Sequence, residues 1–158
     1  MEESKEKAIS IEQGLKLTSS GGVPLNDATP FRQLVGSLIY LTITRPELCY
    51  SVSVVSQFMQ HPTYQHWDAA KRILRYIKGT LDYGLMYRNC EKIQLVGYTD
   101  ADWAGSVEDR HLTTGYCFSM GSSMVSWCSK KQPVVALSST EAEYVAASMA
   151  AQECVRLK

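Results

Sequence analysis

Gly115-Tyr116-Cys117-Phe118-Ser119-Met120-Gly121-Ser122-Ser123-Met124-Val125-Ser126-Trp127-Cys128 reads as two strands joined by a tight turn. Aromatic and branched residues flank a Gly-Ser-Ser step, which is a hairpin signal. Upstream, Ile93 to Thr99 has the same short-strand character, and Asp100 closes it. Together the three segments predict an antiparallel meander. Gly84 to Tyr87 is a weaker strand candidate.

Either side of the meander the period changes to helical. Downstream, a helix is expected from about Ser139 to the end. Upstream, Trp67, Ala70, Ile73, Leu74 and Ile77 recur at three and four residues, predicting a helix from Tyr64 that stops at Gly79. Leu34, Leu38 and Leu41 with Val35 and Ile39 predict a buried helix from Phe31, halted at Arg45-Pro46. Pro46 suits the first turn of another helix running to about Met59. Residues 1–30 are polar and turn-rich, and read as an extended or poorly ordered lead-in, with Ile11 to Leu17 lying on the helical region. Helices kept apart from strands indicate an α+β chain. The reading is an irregular lead-in over 1–30, a helical region over 31–90 and a sheet-plus-helix region over 91–158.

Composition limits what such a chain does. It has 158 residues, 45 % hydrophobic, with sixteen basic and sixteen acidic side chains and no net charge. That excludes nucleic-acid binding through bulk positive charge, but not a local stripe. Residues 61–90 are net +3 and residues 91–127 net −3. Lys71, Arg75 and Lys78 recur at helical spacing beside the apolar face of their helix. They read either as a solvated face or as a row that tracks phosphates. No stretch approaches the roughly 20 apolar residues of a membrane span, so no membrane partner is expected. Five scattered cysteines without a C-x-x-C pair read as buried free thiols in a reducing compartment. His61 and His66 lack further ligands at metal spacing, so no zinc site is expected there.

Four carboxylates stand where chemistry is possible. Asp100 ends an apolar strand, and Asp102 follows it. Glu141 lies three residues after Ser138, the spacing of a helix cap, whereas Glu143 lies past the first turn. Small residues at Ala146 and Ala147 let that helix lie close to a sheet, aiming Glu143 at Asp100. A strand-end carboxylate facing a helix carboxylate is the beginning of a magnesium site.

Four stretches carry a family resemblance: Phe31 to Leu41, Ala69 to Thr80, Gly97 to Gly105 (Gly-Tyr-Thr-Asp-Ala-Asp-Trp-Ala-Gly) and Ser129 to Tyr144. In this order they resemble the Pol polyprotein of Ty1/copia-type retrotransposons, found widely in plants. The resemblance implies that the first region is the thumb or connection of the reverse transcriptase. The second is then the start of a ribonuclease H-like domain, a three-stranded meander plus one helix, truncated before its remaining strands. Within it Asp100 matches the first catalytic aspartate, and Glu143 of Ala142-Glu143-Tyr144 the catalytic glutamate. Both would share weakly held Mg²⁺, with Mn²⁺ as a substitute, and the substrate would be the RNA strand of an RNA–DNA hybrid. Asp102 takes no role from the family. No protein partner is implied. The third and fourth catalytic acids of the family belong beyond Lys158, so the chain is expected to be inactive alone. The alternative is a non-catalytic, nucleic-acid-binding remnant.

Overall fold

The computed structural model describes residues 3–19, 22–89, 93–102, 113–132 and 138–158. The chain divides into two compact units, residues 1–84 and 85–158.

In the first unit, α1 (Thr29–Leu41) begins two residues before the apolar repeat, with Ala28 at its N-cap position and Asp27 just ahead of it. The Thr29 N–H donates to Asp27 Oδ1 at 2.8 Å. This bond, followed by the Thr29 hydroxyl, holds the Asp27 carboxyl below its usual range. Pro46 opens not one long helix but a 3₁₀ turn, Pro46–Leu48, which leads into α2 (Cys49–Ser56). Helix α3 (Tyr64–Lys78) ends at Gly79 as the pattern predicts. His66 at its start is fully buried. Its Nδ1 accepts from the Thr63 N–H at 3.0 Å, and its ring stacks on Phe58 at 3.9 Å between centroids.

Phe31, Val35 and Leu38 of α1 meet Leu48, Val52 and Val55 around α2, and Ala69, Ala70 and Ile73 of α3. Each large side chain so buried contributes roughly 1.5–3 kcal/mol. Arg45, a break in the apolar pattern, proves to be a buried tie. Its guanidinium donates to Thr80 O at 3.0 Å and Thr80 Oγ1 at 2.7 Å, locking the α1–α2 connection to the turn just past α3. The lead-in is irregular but attached. Leu25 N–H donates to Pro62 O, Tyr64 N–H donates to Val23 O, and Leu17 and Leu25 pack on the core.

In the second unit, β1 (Leu95–Asp102), β2 (Thr113–Met120) and β3 (Ser123–Lys131) form an antiparallel sheet in that order, and α4 (Ser139–Leu157) packs on it. The meander and helix are therefore present, with three corrections. Asp100 does not end the first strand. It pairs with Gly115, two residues before the strand's end. Gly84 to Tyr87 is not a strand. That segment runs beside the β2–β3 turn, where Tyr87 Oη donates to Met124 O and Arg88 N–H donates to Ser122 Oγ. The described cysteines, Cys49, Cys117, Cys128 and Cys154, are free thiols but half-buried rather than buried. Cys90, Trp103 to Gly105 and Pro133 to Leu137 lie outside the described residues.

Register assigns the sheet's faces. Gly97, Thr99 and Ala101 of β1 pair with Phe118, Tyr116 and Thr114 of β2 and share one face. Helix α4 lies on that face: Ala142 packs on Ala101, and Gln132 ties Thr114 Oγ1 to Ala142 O. Phe118 fills the space over Gly97. A Cβ added at Gly97 would lie 2.3 Å from the Phe118 ring. Gly97→Val should therefore cost about 1–3 kcal/mol by overpacking, read as a lowered denaturation midpoint of the second unit. Gly36, where a Cβ meets nothing within 4 Å, is the control, although Ala there also gains helix propensity.

Candidate catalytic carboxylates and basic face

Ser138 caps α4, and its side chain accepts from the Glu141 N–H at 3.1 Å. Glu141 thus sits in the first turn, where a negative charge faces the helix's positive end. Glu143 lies one residue past Ala142, the residue that touches β1. Its side chain is exposed, as is that of Asp100. Asp100 and Glu143 are thus the sequence neighbours of the Ala101–Ala142 contact.

They do not meet through that contact. Strand alternation turns Asp100 to the face opposite Ala101, together with Tyr98 and Cys117. Of Ala146 and Ala147, read as letting that helix lie close to the sheet, Ala146 is buried and Ala147 is not. The alanines that touch or face the sheet are Ala142, Ala146 and Ala150, all buried, and Ala147 is exposed. Trp127 pairs with Cys117 and so lies on the far face. Asp100 Oδ1 accepts from the Ala101 N–H at 2.9 Å. Among the described residues, no group of three or more His, Cys, Asp or Glu side chains is placed to hold a metal ion. Mg²⁺ in general is held by one or two carboxylates and keeps several waters; Asp100 and Glu143 are both open to solvent.

Beside Asp100, a shallow hollow of about 260 Å³ opens among Tyr98, Gly115, Cys117 and Cys128. Burial pushes the Cys128 thiol and the Tyr116 phenol up from their usual values, so neither is an activated nucleophile.

The basic row on α3 is engaged locally. Lys71 pairs with Asp68 at 2.6 Å, Arg75 Nε donates to Lys71 O at 3.4 Å, and Lys78 Nζ donates to Ser4 O at 3.0 Å. All three side chains are half-buried. Part of the lead-in lies across this helix. Ser4 sits at Lys78, the Lys7 N–H donates to Arg75 O at 3.3 Å, and Glu12 meets Arg72.

Comparison with known proteins places the chain. It is 50 % identical over 129 residues to the retrovirus-related Pol polyprotein from transposon RE2 of Arabidopsis thaliana, covering 82 % of this chain and 9 % of that protein. Over 130 residues it is 46 % identical to the Pol polyprotein from transposon TNT 1-94 of Nicotiana tabacum, covering 82 % of this chain and 10 % of that protein. It is also 52 % identical over 129 residues to secreted RxLR effector protein 161 of Plasmopara viticola, covering 81 % of this chain and 91 % of that protein. The chain belongs to the Pol polyproteins of Ty1/copia-type retrotransposons. It spans about a tenth of the length of the Pol polyproteins it matches. No family model and no solved structure matches it. Among the described residues, no helix of this Pol segment is long and apolar enough to cross a membrane.

One group in the Pol segment escaped the pattern. Glu153 of α4 is buried on the sheet and accepts from Ser126 Oγ of β3, from Arg156 Nη2, and from Arg156 Nε at 2.7 Å. These bonds, those from Arg156 first, lower its pKa to about 2. The signal was the Glu153 to Arg156 spacing of three. Nothing local showed that the acid faces inward.

Proposed function

We propose that the first unit is the tail of the reverse transcriptase, its thumb or connection, and the second the opening of a ribonuclease H domain. The family reaction is hydrolysis of the RNA strand of an RNA–DNA hybrid during reverse transcription. One observation supports the reading: the meander-then-helix unit seats Ala142 of α4 on Ala101 of β1, so that Asp100 and Glu143 are the chain neighbours of that contact, while Glu141 serves the cap. Asp100 and Glu143 would hold the Mg²⁺, or Mn²⁺ in its place. When bound, the ion polarises the phosphodiester and lowers the pKa of water. The chain's own carboxylates place negative charge beside solvent, where a hydrated cation and a phosphate can approach together.

Lys71, Arg75 and Lys78 are proposed to support the hybrid through its backbone, a contact that is weak and falls steeply with salt. Local engagement of all three, and the absence of a third converging acid among the described residues, favour a second reading of the chain by itself: nucleic-acid binding without cleavage. The test of the catalytic assignment is a chain lengthened by the Pol segment that follows in the relatives, assayed on a labelled hybrid. Cleavage silenced by Asp100→Asn or Glu143→Gln supports it, and cleavage indifferent to both overturns it.

A further inference from the structure

A hollow of about 450 Å³ lies between the lead-in and α3, lined in part by Glu12, Lys16, Asp68, Arg72 and Arg75. Its charges are unevenly satisfied. The Asp68 carboxylate is taken by Lys71 at 2.6 Å. The Arg72 side chain is only 16 % exposed, and its Nε is fully buried with no hydrogen-bond partner. A buried donor on a charged group, left unpaired, forfeits its hydration without return. Arg72's counter-charge is Glu12, whose carboxylate reaches one terminal nitrogen at 3.4 Å and is itself 64 % exposed. That is long for a charge-assisted bond, which is normally 2.7–2.9 Å. A guanidinium is a planar fork that matches two oxygens of one anion, and here one oxygen meets it while Nε goes unmet. Arg75 adds a second guanidinium, whose Nε makes only a 3.4 Å bond to its own helix, and Lys16 stands exposed at the rim.

We infer that this hollow is a phosphate-binding site, with Arg72 as its fork, Arg75 and Lys16 as flanking charges, and Glu12 as a displaceable occupant. A tetrahedral anion that moves the exposed Glu12 aside can offer oxygens to both Nε and a terminal nitrogen. The lead-in remains attached on one side through Ser4 and Lys7, and on the other through Leu17. Glu12 then sets the affinity, because any phosphate must outcompete it. The inference rests on the nucleic-acid reading of the first unit only for the source of the phosphate, a strand's phosphodiester as against the free ion.

The test uses the 158-residue chain with two probes: inorganic phosphate by calorimetry against a chloride control at equal ionic strength, and a labelled RNA–DNA hybrid by fluorescence anisotropy. Glu12→Gln should tighten phosphate severalfold. Arg72→Lys, which keeps the charge and loses the fork, should weaken it about tenfold. If the hybrid follows in both directions, the strand is the ligand. If phosphate responds and the hybrid does not bind, the site stands and the nucleic-acid reading of the first unit fails. If the hybrid binds and responds to replacing Lys71, Arg75 and Lys78 by Glu, but neither probe responds to Arg72→Lys or Glu12→Gln, the hollow is overturned and the row survives. Misfolding of Arg72→Lys would not imitate the result, since Glu12→Gln is expected to gain affinity.

Discussion

Incubated with a labelled RNA–DNA hybrid and Mg²⁺ or Mn²⁺, the 158-residue chain should leave the RNA strand intact. Hydrolysis of this kind uses two ions to hold the attacking and leaving oxygens in line. Each Mg²⁺ demands near-octahedral oxygen ligation, and two like charges repel unless carboxylates lie between them. Asp100 and Glu143 are two exposed acids on either side of an alanine contact, and no third described acid joins them. Losing the in-line arrangement removes much of the roughly 7–11 kcal/mol that positioning can supply. A longer chain that adds acids beside the open edge of β1 should cleave. In it, Asp100→Asn or Glu143→Gln should reduce the rate by orders of magnitude. Cleavage by the short chain that Asp100→Asn abolishes would show that two carboxylates suffice and would sink this expectation.

The second unit should lose stability in acid through Glu153. Its carboxyl has a pKa of about 2 in the folded chain, against 4.5 ordinarily. A lowered folded pKa means that the ionised form is what the fold binds. The stabilisation is therefore complete above about pH 4.5 and drains away as pH falls towards 2. Arg156 is 68 % exposed and partly screened, so the contribution is on the order of 2 kcal/mol rather than the full shift. Glu153→Gln keeps the shape and removes the titration. The stability gap between the native chain and this variant should be largest at pH 6 and shrink steadily as pH falls from 4.5 towards 2, followed by denaturant unfolding at each pH. A gap that does not vary with pH would assign Glu153 a packing role alone.

Among the described residues, β1 has a hydrogen-bonded neighbour only on the β2 side. An eight-residue edge without Lys or Pro is a template for further strand pairing. The isolated chain should therefore self-associate as concentration rises, which sedimentation velocity would register. A concentration-independent monomer would contradict this.

Much of the architecture was legible in local pattern. The change from a period near 3.6 to alternation after Gly79, the stop at Pro46 and the turn at Gly121 depend on neighbours a few residues apart. So does the separation of Glu141 from Glu143, because a cap is a contact within one turn. Long motifs in a fixed order placed the chain in its family for the same reason: they are readable along the chain. What lay across the chain was not. Strand parity decides that Ala101 rather than Asp100 lies under α4, and parity depends on register with β2, set by distant partners such as Phe118 over Gly97. The α3 row looked like an open cationic face because nothing near it announces that residues 4 to 12 fold back along it. Nothing along the chain near Glu153 shows that β3 brings Ser126 to it. In each case a side chain's surroundings come from a segment well separated along the sequence, and only the packed chain brings that segment into place.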